Sequence, residues 1–158
     1  MAGSPAYLEL LADIGARPPL HVTWGALSAA WYRVTQRPDR IELHYLANIA
    51  FELIALETHT SKLLVMAEAS LLHIAKNAGY AGADNSDPWA NFRLASDFGV
   101  SPFNGVLVRL SDKWSRTQSL RRNASNERIG ESLLDTLRDL AAYALIAICI
   151  MQEERVAT

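Results

Sequence analysis

Three carboxylates near the C-terminus follow a helical spacing that could hold a divalent cation. Glu131, Asp135 and Asp139 lie at i, i+4 and i+8, so they fall along one face of a helix. Like charges at this spacing each destabilise an isolated helix by a few tenths of a kcal/mol, and bound Mg²⁺ would remove that cost. The alternative is a solvated face that Arg128 and Arg138 neutralise.

The preceding segment carries a second stripe, of mixed charge. Arg109, Asp112, Lys113 and Arg116 lie at i, i+3, i+4 and i+7. Only a short polar turn separates the two segments, so their helices can lie antiparallel and bring both stripes together. Guanidinium and ammonium groups beside carboxylate-bound magnesium would bind a polyphosphate. An ordinary ion-paired surface is the alternative. Glu68 is a further candidate ligand, or else a surface residue.

An aromatic and amide cluster occupies the irregular segment between residues 79 and 101. Trp89, Asn91 and Phe92 follow Asp87-Pro88. An aromatic ring beside an amide can stack on a nucleobase and hydrogen-bond to it. The competing interpretation is that these aromatics anchor the loop to the core.

Composition narrows the class of protein. The chain has 158 residues, of which 50% are hydrophobic and 20% charged, which is typical of one globular domain. The net charge is −2 and no Lys/Arg run exceeds two residues, so we expect no direct nucleic-acid binding. The single cysteine, Cys149, excludes an internal disulfide, and its apolar surroundings predict a buried role.

Sequence motifs and hydropathy exclude several other functions. No metalloprotease HExxH, P-loop, dinucleotide-binding glycine motif or nucleophile elbow occurs. The longest apolar run, Leu140–Met151, is too short to span a membrane, and the first 15 residues do not resemble a signal peptide. We therefore expect a cytoplasmic protein without a membrane partner.

Proline and glycine divide the chain into helical segments, and no segment shows strand alternation. The sequence predicts a single all-α domain, a bundle of five or six helices. The predicted helices cover residues 5–14, 23–35, 41–56, 61–78, 102–120 and, from a cap at Ser125 or Asn126, up to 153. In the fourth helix the spacing predicts that Leu64, Ala67, Leu71 and Ile74 face inward.

Two apolar segments predict oligomerisation. Ile41–Leu56 is hydrophobic nearly all round, which is typical of a central helix or of an oligomer interface. Together with Leu140–Met151 it exceeds what one small bundle needs to bury. We therefore expect a homodimer or homotetramer.

Four sequence blocks carry a resemblance to a known family. They read Lys-Asn-Ala-Gly-Tyr-Ala-Gly from residue 76, Asp-Pro-Trp-Ala-Asn-Phe-Arg from 87, Val-Arg-Leu-Ser-Asp-Lys-Trp-Ser-Arg from 108, and Glu-Ser-Leu-Leu-Asp-Thr-Leu-Arg-Asp-Leu-Ala-Ala-Tyr from 131. Their order and spacing resemble the nucleotide-modification-associated domain 1 family. That family is found largely in bacteriophages and is related to the MazG-like all-α nucleoside triphosphate pyrophosphohydrolases. The resemblance lies within residues 61–153, whereas residues 1–60 match nothing.

The resemblance implies a magnesium-dependent helical site that acts on nucleotides in the host cytoplasm. Glu131 and Asp135 match one acidic pair of the MazG-like site. The other pair is represented by Asp112 alone, because Arg109 stands where a second acid is usual. Gly79 replaces another of the family's acids.

The leading hypothesis is a Mg²⁺-dependent pyrophosphohydrolase that converts a (deoxy)nucleoside triphosphate to its monophosphate and pyrophosphate. Asp139 would orient the attacking water or bind a second ion. The metal ligands would be Asp112, Glu131, Asp135 and Glu68. The phosphates would be bound by Arg109, Lys113 and Arg116. The base would contact Trp89, Asn91 and Phe92.

Two other hypotheses stay open. Since family acids are missing, one hypothesis is a non-catalytic module of a phage that binds a nucleotide or a partner as an accessory to DNA nucleotide modification. The other is a structural oligomer whose carboxylate stripe is only a solvated surface.

Overall fold

The structure, a computed structural model, describes residues 4–80, 87–123 and 131–157, and every regular element in those ranges is helical. The elements are α1 (Pro5–Ala16), α2 (Trp24–Gln36), α3 (Arg40–Thr58), α4 (Lys62–Tyr80), α5 (Ala90–Arg93), a 3₁₀ helix (Leu94–Phe98), α6 (Pro102–Asn123) and α7 (Glu131–Ala157). The all-α prediction is confirmed, but the described ranges contain seven α-helices rather than five or six, because the segment that the sequence assigns to turns includes the short helix α5. The predicted cap at Ser125 or Asn126 lies outside the described residues.

Side-chain caps explain where three helices begin. The hydroxyl of Thr23 accepts the N–H of Ala26 at 3.1 Å at the start of α2, as the sequence predicts. Ser101 caps α6 in the same way, immediately before Pro102. Asp39 caps α3, so this helix begins at Arg40 rather than near Pro38.

The core of the bundle is the contact between α3 and α7. Most of each predicted apolar segment is buried there within one chain, from Leu43 to Ala55 on α3 and from Leu140 to Met151 on α7, whereas Ile41, Tyr45 and Leu56 are exposed. Their apolar length therefore gives no reason to invoke a second copy. Cys149 is buried as predicted, and burial raises the pKa of its thiol to about 12. No helix in the described ranges is long and apolar enough to cross a membrane.

The prediction for the inward face of α4 is wrong. Leu64 and Leu71 are exposed, the latter by 69%, and the helix instead buries a different set: Lys62, Val65, Met66, Ala69 and His73. Polar contacts hold both ends of this face, because Lys62 pairs with buried Glu52 and His73 contacts α1. The spacing of apolar residues in the sequence does not reveal polar contacts of this kind.

His73 joins α4 to the start of the described chain. Its Nε2 accepts the backbone N–H of Ser4 at 3.1 Å, and its ring stacks on Tyr7 with centroids 3.9 Å apart. An imidazole nitrogen that accepts a hydrogen bond must be unprotonated. Burial accordingly lowers the pKa of His73 to about 4.

We predict that acid destabilises the protein through His73. Its folded pKa of about 4 lies below the ordinary value, so the unfolded chain binds more protons between pH 6.5 and 4. Stability should therefore fall by about 3 kcal/mol as the pH drops through this range. Urea unfolding of the wild type and His73→Gln at several pH values measures this contribution as the difference in slope. His21→Gln, at an exposed position, should keep the wild-type slope; equal slopes in all three proteins would contradict the assignment.

Candidate functional site

The two predicted stripes do meet along an antiparallel contact between α6 and α7. Arg116 Nε donates to the hydroxyl of Thr136 at 3.3 Å, and Lys113 Nζ lies 3.0 Å from Asp139 Oδ2. Because residue numbers rise along α6 while they fall along α7, the helices run in opposite directions. Each residue of α6 is therefore level with a definite position on α7.

Asp139 is held by lysines from two different helices. Its Oδ1 accepts Lys76 Nζ from α4 at 2.9 Å, while its Oδ2 pairs with Lys113 of α6. Burial alone would raise the pKa of Asp139, but the hydrogen bonds from the two lysines lower it overall. Both carboxylate oxygens thus serve an ion pair that ties α4, α6 and α7 together.

The other predicted carboxylates do not share the lysine partners of Asp139. Asp135 is exposed and pairs with Arg138 at 2.8 Å. This contact agrees with the alternative from the sequence, in which Arg138 neutralises a solvated acidic face. Glu68 lies 4.0 Å from the same guanidinium. Asp112 is exposed and takes part in none of the ion pairs among the described side chains.

These positions do not fit a magnesium site in the described part of the chain. Asp112 is level with residues near 140, so it lies about 14 Å along the helix axis from Glu131, at 1.5 Å per residue. That separation exceeds the reach of two carboxylates to one ion. Among the described residues no three His, Cys, Asp or Glu side chains could share a metal. The side chain of Glu131 lies outside the described set, so its predicted role stays a prediction.

The cavity beside Asp139 is too small for a nucleotide. Lys76, Arg138 and Asp139 line it together with His73, and its volume is about 20 Å³. A cavity of this size holds roughly one water molecule. A nucleotide would therefore have to bind at a different place.

A wider pocket opens at the N-terminal end of the cationic stripe on α6, next to Arg109. Asn91, Phe92, Phe98 and Arg109 line it, and its volume is about 230 Å³. The guanidinium of Arg109 lies 5.0 Å from the centroid of the Phe92 ring, and Phe98 is 87% exposed. The structure thus brings together a predicted phosphate ligand and two predicted base contacts.

Trp89 does not line this pocket, unlike the other two predicted base contacts, Asn91 and Phe92. It is fully buried, packed between the rings of His73 and Phe92, so it cannot face a ligand at the surface. This is the anchoring role that the sequence left as the alternative. The exposed aromatic residue at the pocket is Phe98 instead. The only sequence signal for its exposure is the adjacent Gly99, which caps the 3₁₀ helix with φ of 73°.

Arg109, Lys113 and Arg116 continue from this pocket as a row of cations, which we call the α6 row. Lys113 also lies 5.6 Å from the ring centroid of Tyr143, and Arg116 is exposed. Successive members are separated by about one helical turn. The row can therefore offer donors to several oxygens of one extended anion.

Comparisons with protein-family models, with curated proteins and with solved structures find no match to this chain. The family resemblance of residues 61–153 therefore remains an expectation from the quoted blocks.

We predict that Gly105→Ala disturbs this pocket and destabilises the protein. A Cβ on Gly105 would lie 2.8 Å from the Cβ of Ala95, so α6 and the 3₁₀ helix would have to separate. Overpacking of this kind costs about 1–3 kcal/mol and outweighs the gain of about 1 kcal/mol that alanine usually brings to a helix. Urea unfolding should show a net loss. The control is Gly25→Ala in α2, whose nearest new contact is 3.5 Å and which should not destabilise; equal effects would contradict this account.

Proposed function

We propose that this protein binds a phosphorylated nucleotide along α6, with the base in the pocket at Phe98 and the phosphates on the α6 row. The observation that carries the proposal is the arrangement at Arg109. This guanidinium closes an aromatic and amide pocket and is also the first cation of the row. A nucleotide has the matching order, a flat ring at one end and anionic oxygens at the other.

The pocket suits one ring of such a ligand. Its volume of about 230 Å³ lies below the roughly 300–1,000 Å³ of pockets that enclose a whole small molecule. Phe98 offers an exposed face on which any base can stack. The amide of Asn91 can donate to a base edge and accept from it.

The spacing of the α6 row suits a chain of phosphates. Arg109 and Arg116 are seven residues apart, which is about 10 Å along a helix, and Lys113 lies between them. Lys113 already pairs with Asp139, so a phosphate would share this ammonium with the carboxylate. Binding should therefore weaken as the salt concentration rises.

The carboxylates favour binding over hydrolysis. Asp139 is held by two lysines, Asp135 pairs with Arg138, and the described residues contain no metal-binding cluster. The non-catalytic hypothesis therefore has more support than the Mg²⁺-dependent pyrophosphohydrolase. As an accessory to DNA nucleotide modification, such a module would capture a nucleotide rather than consume it.

We predict that Phe98→Ala and Arg109→Gln weaken nucleotide binding selectively. Calorimetric titration with a panel of ribo- and deoxyribonucleoside triphosphates gives the affinities. Loss of base stacking should reduce affinity about 5- to 150-fold, and loss of a charged donor about 10- to 100-fold. Arg122→Gln removes the same charge at an exposed position in the last turn of α6 and serves as the matched control. Unchanged affinity in both pocket variants would rule out this site.

A pyrophosphate-release assay with the same panel separates binding from hydrolysis. The proposal predicts no release above background with or without Mg²⁺. Release that requires Mg²⁺ and disappears in Glu131→Gln would establish the hydrolase instead, with Glu131 as a metal ligand.

We also propose that copies of the chain associate through α4 rather than through α3 and α7. Four leucines of α4 remain exposed on the single chain, namely Leu63, Leu64, Leu71 and Leu72. Leu64 and Leu71 are two turns apart and so share one side of the helix. Exposed Glu68 lies between them on this side, and a group of exposed leucines with a charged neighbour favours a protein–protein contact.

Light scattering of the purified protein tests this association. We expect a dimer or tetramer that dissociates when Leu64 and Leu71 are both replaced by Glu, because two charges would be buried at the contact. The control is Val156→Glu, at an exposed residue near the end of α7, which should leave the mass unchanged. A monomeric wild type would contradict the proposal.

A further inference from the structure

A buried polar stripe runs along α3, one of the two central helices of the bundle. His44, Asn48 and Glu52 occupy successive turns of α3, and each is more than nine-tenths buried. Polar groups in such a position destabilise the fold unless they find partners. The partners of the three residues differ, and the difference points to a ligand.

The two ends of the stripe lie beside charged side chains. Glu52 Oε1 lies 2.8 Å from Lys62 Nζ, and Lys62 also donates to the carbonyl of Arg17 at 3.4 Å. His44 Nε2 lies 3.0 Å from Asp13 Oδ2. Each end therefore has a charged side chain within ion-pair distance, although neither His44 Nε2 nor Glu52 Oε1 has hydrogen-bond geometry to it.

The middle of the stripe is not satisfied in this way. Asn48 Oδ1 is buried and has no hydrogen-bond partner in the described part of the chain. A buried amide left unpaired is costly, and such groups in proteins usually bond to water or to a ligand. Asn48 lines a cavity of about 180 Å³ between the end of α1 and the start of α3.

The same cavity is lined by two arginines. Arg17 pairs with Asp13 at 3.3 Å, whereas Arg40 takes part in none of the ion pairs among the described side chains. Burial, with the nearby charge of Arg17, lowers the pKa of His44, so this imidazole is neutral at pH 7. Two guanidiniums against the single carboxylate of Asp13 leave the cavity with net positive charge.

We propose that this cavity binds a phosphate group, either as inorganic phosphate or as a small phosphomonoester. The guanidinium fork matches two oxygens of a tetrahedral oxyanion, and both Arg17 and Arg40 line the cavity with such a group. The two ends of an asparagine amide have nearly the same shape, so Asn48 can turn its N–H₂ toward the cavity and donate to a third oxygen. None of the lining residues belongs to the pocket on α6, so this site is independent of the proposed nucleotide site.

Calorimetric titration of the full chain with inorganic phosphate, at constant ionic strength set by sodium chloride, tests the site. Parallel titrations with methyl phosphate and with acetate distinguish the free anion, the ester and a carboxylate. We expect saturable binding of one phosphate or phosphomonoester at this cavity, and a higher melting temperature in phosphate than in chloride. Preference for inorganic phosphate or for methyl phosphate identifies the physiological form.

Two variants and a control assign the binding to the cavity. Arg40→Gln should weaken phosphate binding about tenfold or more. Asn48→Leu should also weaken it, while it raises the melting temperature in phosphate-free buffer because the unpaired amide is gone. Arg37→Gln removes the same charge three residues earlier, where Arg37 pairs with Asp39 outside the cavity, and should keep the wild-type affinity.

Three results would overturn the proposal. Phosphate that stabilises the protein no more than chloride would exclude a site. Tighter binding of acetate than of either phosphate would exclude the assigned ligand class. Full phosphate binding by both Arg40→Gln and Asn48→Leu would place the anion elsewhere, for example on the α6 row, which Arg109→Gln would then reveal.

Discussion

The burial of α3 against α7 is the constraint on which the rest of the bundle depends. Both helices are apolar around most of their circumference, and their facing residues are almost completely removed from water. Each fully buried aliphatic side chain stabilises the fold by about 1.5–3 kcal/mol. The contact between α3 and α7 is therefore the main contribution to the stability of the bundle. Helices α1, α2, α4 and α6 then cover the sides that remain, and polar residues at these secondary contacts must find partners there.

That requirement explains why the acidic stripe on α7 does not form a metal site among the described residues. Asp139 faces the junction of three helices, where lysines from α4 and α6 neutralise it. Its energetic role is to join those helices, because an ion pair that lost one partner there would leave a poorly solvated charge. The cations further along α6 are not drawn into such a junction. Arg109 lies at the pocket beside Phe98 and Arg116 is exposed, so a ligand can reach both.

The sequence predicted the elements better than their contacts. Helix boundaries follow from local signals, such as Thr23 at the start of α2 and Ser101-Pro102 at the start of α6, and these were confirmed. The pairing of Asp139 with Lys76 joins residues 63 positions apart, and no local spacing encodes it. The same limit applies to the pocket: Arg109 and Phe92 were candidates by residue type, but their contact and the exposure of Phe98 depend on how the 3₁₀ helix packs against Gly105.

Helix α4 shows how polar contacts can decide an orientation that hydrophobic spacing would set differently. Rotating α4 to bury Leu64 and Leu71 would expose Val65, Met66 and Ala69 in their place, and it would also separate Lys62 from buried Glu52 and His73 from Ser4. Removing one partner of a buried ion pair costs about 3–5 kcal/mol, which is comparable to burying two leucines at about 1.5–3 kcal/mol each. The hydrogen bond and ring stacking of His73 then favour the observed rotation. The leucines remain exposed as a consequence, and a second copy packed on α4, as proposed above, would bury them without breaking those contacts.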